Sequence, residues 1–125
     1  GSPELQGIYE FSYTPTGIKG MAETPLFMNE VCYGLDLRNY DTRLLRESKK
    51  INLQWIMELY KAHPYKEKFF DQKLSHQMNN VEIQTGSGLF RQQIIDAVPE
   101  ETIRASWEPG LSDYKLMRKK YLLYP

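Results

Sequence analysis

Hydrophobic and polar positions change period several times along this chain, and the changes predict its elements. Residues 8–13 alternate, with Tyr9, Phe11 and Tyr13 on one side and Ile8, Glu10 and Ser12 on the other. That is the period of a half-buried strand rich in β-formers. Thr14-Pro15-Thr16-Gly17 ends it, because proline removes a ladder donor and glycine permits a turn. Residues 17–29 show no period. A loop of that length suits either ligand binding or the cover of a sheet edge. Alternation resumes over 30–38, with Val31, Tyr33, Leu35 and Leu37 on one face and Cys32, Gly34, Asp36 and Arg38 on the other. Gly34 inside that strand marks a bulge or a close approach.

Helical spacing follows. Asn39-Tyr40-Asp41-Thr42 reads as a turn or cap, and the charged run 43–50 as a helical turn or a solvated connector. Asn52 can cap a helix over 53–62, where Leu53, Ile56, Met57 and Tyr60 recur at i, i+3, i+4, i+7 before Pro64 stops it. Trp55 lies off this stripe, so it touches another element or stays partly exposed. Phe69-Phe70 is an apolar anchor for the core. Residues 76–80 read as loop, and alternating 81–84 as a short strand. Thr85-Gly86-Ser87-Gly88 opens a helix over 89–97 with Leu89, Phe90, Ile94 and Ala97 on its apolar face.

Pro99, Glu100 and Glu101 start a further helix on which Ile103 and Trp107 share a face. Pro109-Gly110 is predicted to break it. Ser112 or Asp113 then caps a last helix with Tyr114, Met117, Tyr121 and Leu122 on one stripe and Lys115, Arg118, Lys119 and Lys120 largely opposite. So apolar an end is expected to dock and close the domain. The pattern predicts an α+β fold: a small, mostly antiparallel sheet with helices packed on one face and the C-terminal helix docked. Residues 1–7 are expected to be a flexible lead-in, with Gly1-Ser2 a remnant of tag cleavage, and 8–125 one domain.

Composition narrows the chemistry. With 125 residues the chain is long enough for one cored domain. Sixteen basic residues balance sixteen acidic ones, and no basic stripe is interleaved with aromatics, so no nucleic-acid partner is expected. No apolar run reaches membrane-spanning length, so no membrane is expected either. The single cysteine allows no internal disulfide; it suits a cytosolic chain and is compatible with a periplasmic one. His63 and His76 lack metal-ligand spacing with Cys32, and no cofactor is implied. Gly86-Ser87-Gly88 lacks the lysine and spacing of a P-loop and reads as a flexible cap. Nine tyrosines stand out, since their rings suit both a half-buried core and sugar or protein contact.

Three stretches, in order, carry a resemblance. They are Tyr13-Thr14-Pro15-Thr16, then Cys32-Tyr33-Gly34-Leu35-Asp36-Leu37-Arg38, then Ile103-Arg104-Ala105-Ser106-Trp107 with Tyr114 and the closing Arg118-Lys119-Lys120-Tyr121-Leu122-Leu123-Tyr124-Pro125. Together they resemble the carboxy-terminal domain of the exo-β-N-acetylmuramidase family, bacterial glycosidases of peptidoglycan recycling long classed as a domain of unknown function. The resemblance implies a periplasmic or cell-envelope setting and a muramyl saccharide from peptidoglycan as ligand. It also implies a preceding Rossmann-like domain that holds the catalytic carboxylates and lies outside these residues. The segment 72–83 is longer and more polar than the family pattern.

A glycosidase needs two carboxyls about 5 Å apart for retention or roughly 6.5–9.5 Å for inversion. Glu30 and Asp36 are the nearest candidates, and neither has the apolar flanks of a raised-pKa acid, so no catalytic residue is expected here. Expected instead is one wall of a substrate cleft, with Tyr13, Thr14, Thr16 and Tyr33 stacking on or hydrogen-bonding a sugar. Arg38 would recognise an anion such as the lactyl carboxylate of muramic acid; the simpler reading of Asp36 and Arg38 is a surface ion pair. From a different class, the chain can be an interaction module that docks a partner domain through exposed aromatics.

Overall fold

A computed structural model describes residues 1–70 and 80–123 of the chain. They fall into two compact units, Gly1–Asn80 and Val81–Pro125. Expectations for 71–79, including the loop 76–80 up to Asn79, lie outside the described residues.

The first unit is built on a small antiparallel sheet. Strands β1 (Ser12–Tyr13) and β2 (Cys32–Tyr33) pair Ser12 with Tyr33 and Tyr13 with Cys32. On the other side of β2, Ser2 and Tyr33 exchange both backbone hydrogen bonds at 3.0 Å. Residues 1–7, expected to be a flexible lead-in, are therefore tied down: Pro3–Leu5 forms a 3₁₀ turn and Leu5 is buried. Both strands are shorter than their alternation predicts. Ile8 and Tyr9 give their N–H groups to the Leu5 carbonyl, and the Asp36 carboxylate takes the Arg38 N–H. These local bonds compete with the ladder and end it. The inward face of β2 is the one that carries Cys32 and Gly34. Cys32 is fully buried and Gly34 buried, whereas Val31 and Leu37 are exposed. Gly34 explains part of this, since a Cβ there would lie 2.9 Å from the Gly1 backbone.

Helix α1 (Thr42–Ser48) starts where Asp41 accepts the Arg43 N–H and ends at Lys49 in the left-handed region. Helix α2 (Gln54–Ala62) starts where Asn52 accepts the Gln54 N–H at 2.9 Å, as the sequence predicts. Trp55, off the stripe, meets Tyr40 edge-on at 5.2 Å. A short helix α3 (Lys66–Phe69) delivers Phe69 and Phe70 to the α2 residue Tyr60, with ring centroids 5.3 and 5.4 Å away. His63 closes this aromatic group on Phe69 at 5.5 Å. Leu53 and Phe70 complete the buried set of the unit.

The second unit is helical among its described residues. Helix α4 (Asn80–Thr85) replaces the strand expected over 81–84. Four residues are too few to separate the two periods, and the Glu82 carboxylate finds Arg91 at 2.6 Å from a helical turn. Ser87 caps helix α5 (Gly88–Ile95), which buries Phe90, Gln93 and Ile94. Helix α6 (Glu100–Arg118) is continuous, so Pro109-Gly110 does not break it. Ile103 is fully buried and Trp107 packs on Phe90 with ring centroids 5.8 Å apart. Docking of the last helix is confined to these first turns; every described residue from Glu108 onward is exposed.

Candidate functional site

An open groove of about 650 Å³ lies beside the sheet, between residues 8–11 and 34–38. Its position follows from the two chain reversals that cut the strands short. The turn at Leu5 lays Ile8, Tyr9 and Glu10 along one bank. The Asp36 turn puts Leu35, Asp36 and Arg38 on the other, with Gly34 at the base.

Arg38 dominates the groove. Its Nε donates to Asp36 Oδ1 at 2.9 Å and its Nη2 to Asp36 Oδ2 at 2.7 Å. Its guanidinium carbon also sits 4.7 Å from the centre of the Phe11 ring. The two-point bond and the ring fix the plane of the fork. Nη1 has no hydrogen-bond partner among the described residues and the side chain is 72% exposed, so the outer edge of the fork remains open to an anion. Hydrogen bonding to Arg38 pulls the Asp36 carboxyl down to about 2. On the opposite bank the Tyr9 hydroxyl donates to Glu58 on α2 at 3.0 Å, and burial together with that bond raises the phenol.

Only Arg38 among the five expected contact residues lines this groove. Tyr13 stacks on Phe11 at 6.0 Å and so adjoins it. Tyr33 is half-buried at the centre of the sheet, and Thr14 and Thr16 are exposed on the loop after β1. Phe11 and Tyr9 are the residues that sequence reasoning passed over. Their alternation with Tyr13 was a usable signal, read there only as a strand face.

Little acid–base chemistry is assembled here. Asp36 and Asp41 are both driven downward by their arginine partners, which suits an ion pair and not a general acid. Glu30 is exposed at the start of β2 and does not line the groove. Burial raises the Cys32 thiol, which makes it a poor nucleophile. Among the described residues no group of three or more His, Cys, Asp or Glu could hold a metal ion, and no helix is long and apolar enough to cross a membrane.

Residues 4–124 match the family described as exo-beta-N-acetylmuramidase NamZ, C-terminal. The crystal structure of a DUF1343 family protein from Bacteroides fragilis NCTC 9343 superposes with a TM-score of 0.78 at 28% identity. That match covers 99% of this chain, which spans only 32% of the Bacteroides protein. No curated protein matches the chain.

Proposed function

We propose a function from one premise: this chain belongs to the family of exo-beta-N-acetylmuramidase NamZ C-terminal domains, and so is a domain associated with a glycoside hydrolase. On that premise its groove is one wall of a saccharide cleft completed by a preceding catalytic domain. The ligand is a muramyl saccharide from peptidoglycan, met in the periplasm or cell envelope of a bacterium. Arg38 receives the lactyl carboxylate. Tyr9 offers a ring face, Phe11 backs the Arg38 fork, and Tyr13, Thr14, Thr16 and Tyr33 extend the contact along the adjoining loop and strand.

The observation that carries this reading is the Arg38 fork, oriented by Asp36 and Phe11 in the lining of an open groove. An arginine so held keeps its planar donors set for a carboxylate, at a smaller entropic cost than a free side chain. Arg38 holds Asp36 ionised, so Asp36 does not supply the protonated carboxyl that such a glycosidase needs near neutral pH. The test is an assay of the pure chain on a chromogenic β-N-acetylmuramide. No turnover is expected from the chain alone, and turnover is expected once the upstream domain is restored. Hydrolysis by these 125 residues alone contradicts the proposal.

A second reading rests on a different observation. Leu111, Tyr114, Met117 and Tyr121 fall on one stripe of α6 and its last turn, and all four are exposed. That stripe would dock a partner domain. Under this reading Met117→Glu weakens association with the upstream domain, and equal affinity in the variant would exclude it.

A further inference from the structure

We propose that the first unit holds a second binding site, a small amide pocket that shares no lining residue with the Arg38 groove. The cavity measures about 280 Å³. Leu5, Phe27, Leu59 and Phe69 make its apolar walls. One polar atom in its lining, Glu4 Oε2, is buried and has no hydrogen-bond partner among the described residues. Buried polar atoms are nearly always satisfied, and leaving one unpaired is costly. Such an atom in the wall of a cavity marks a place where a ligand can supply the missing partner.

The wall is also held against backbone preference. Phe27 has φ +55°, the left-handed region that a bulky residue rarely adopts. Two backbone bonds keep it there, Glu30 N–H to Phe27 and Asn29 N–H to Pro15, both 2.9 Å. Strain maintained at the lining of a cavity points to binding.

Charge and polarity select the ligand class. Lys68 lines the same cavity, so a ligand cation meets a like charge, while a ligand anion meets the Glu4 carboxyl. A free sugar carries more hydroxyls than these few polar atoms can pair. What fits is a neutral molecule with an amide N–H donor on a short aliphatic body: the N–H to Glu4 Oε2 and the aliphatic part against Phe27 and Leu59. A peptide-like segment has this chemistry.

The test is a titration of the chain with N-acetylleucinamide, followed by ¹H–¹⁵N NMR, with methyl β-glucoside as the hydroxyl-only control. Saturable shifts are expected at Leu5, Phe27 and Leu59 with the amide and none there with the glucoside. Glu4→Met should weaken amide binding about fivefold or more while the rest of the spectrum is unchanged. Leu26→Trp, which narrows the cavity from its exposed rim, should abolish binding even if Glu4→Met fails to fold. The inference is overturned if the amide shifts none of these residues, if it shifts only those of the Arg38 groove, or if a folded Glu4→Met or Leu26→Trp variant binds it as well as the parent.

Discussion

Asp36 orients Arg38, the proposed anion contact, and is therefore the residue to titrate. Its carboxyl falls from 3.8 to about 2 because the folded chain favours the charged form. A folded value below the unfolded one stabilises the fold above the ordinary carboxylate range, and that contribution is lost as pH falls through about 2. Carboxyl ¹³C NMR should show Asp36 titrating near 2, and Arg38→Ala should return it to about 4. An unchanged midpoint in the variant would mean that the fork is not what lowers it. Ile103 tests the second unit in the same direct way. It is fully buried, so Ile103→Ala should cost about 2–5 kcal/mol in urea unfolding. A loss well under 1 kcal/mol would mean the site is loosely packed. At this scale the sequence was informative wherever a side chain bonds to its neighbours. The Asp36–Arg38 pair, the Asn52 cap and the Ser87 cap were all legible because each closes within a few residues. Glu4 and Phe27 were not, since a cavity is made by residues distant in sequence.

Elements show where period alone decides too little. The α2 stripe spans more than two turns and was read correctly. The segment 81–84 was read as a strand and is part of α4, because four residues alternate equally well on a short helix. The alternation over 30–38 separated two faces without saying which is buried; the N-terminal stretch approaches over Gly34 and buries the side of Cys32, while Val31 and Leu37 stay exposed. Pro109-Gly110 is the sharpest case. Both residues disfavour helix, yet α6 runs through them on a fully exposed stretch. Gly110 has open space where a Cβ would stand and no positive φ. Gly110→Ala should therefore stabilise the chain by about 0.5–1 kcal/mol and raise its helical circular dichroism. Loss of helicity in that variant would show that the helix does not pass through this position in solution.

For the molecule as a whole, α+β class and family were both legible, carried by three ordered stretches at the start, middle and end. The groove was not. Its banks come from residues 8–11 and 34–38, which meet only because β1 and β2 pair. The account rests on the claim that this groove grips the lactyl carboxylate through Arg38. N-acetylmuramic acid and N-acetylglucosamine differ by that lactyl group alone, so calorimetric or NMR affinities for the two isolate it. The parent chain should prefer the muramic sugar by about tenfold, in line with one charge-assisted contact. Arg38→Ala should erase the preference and leave the weaker sugar unaffected. Equal affinities in the parent, or a preference that survives Arg38→Ala, would contradict the account.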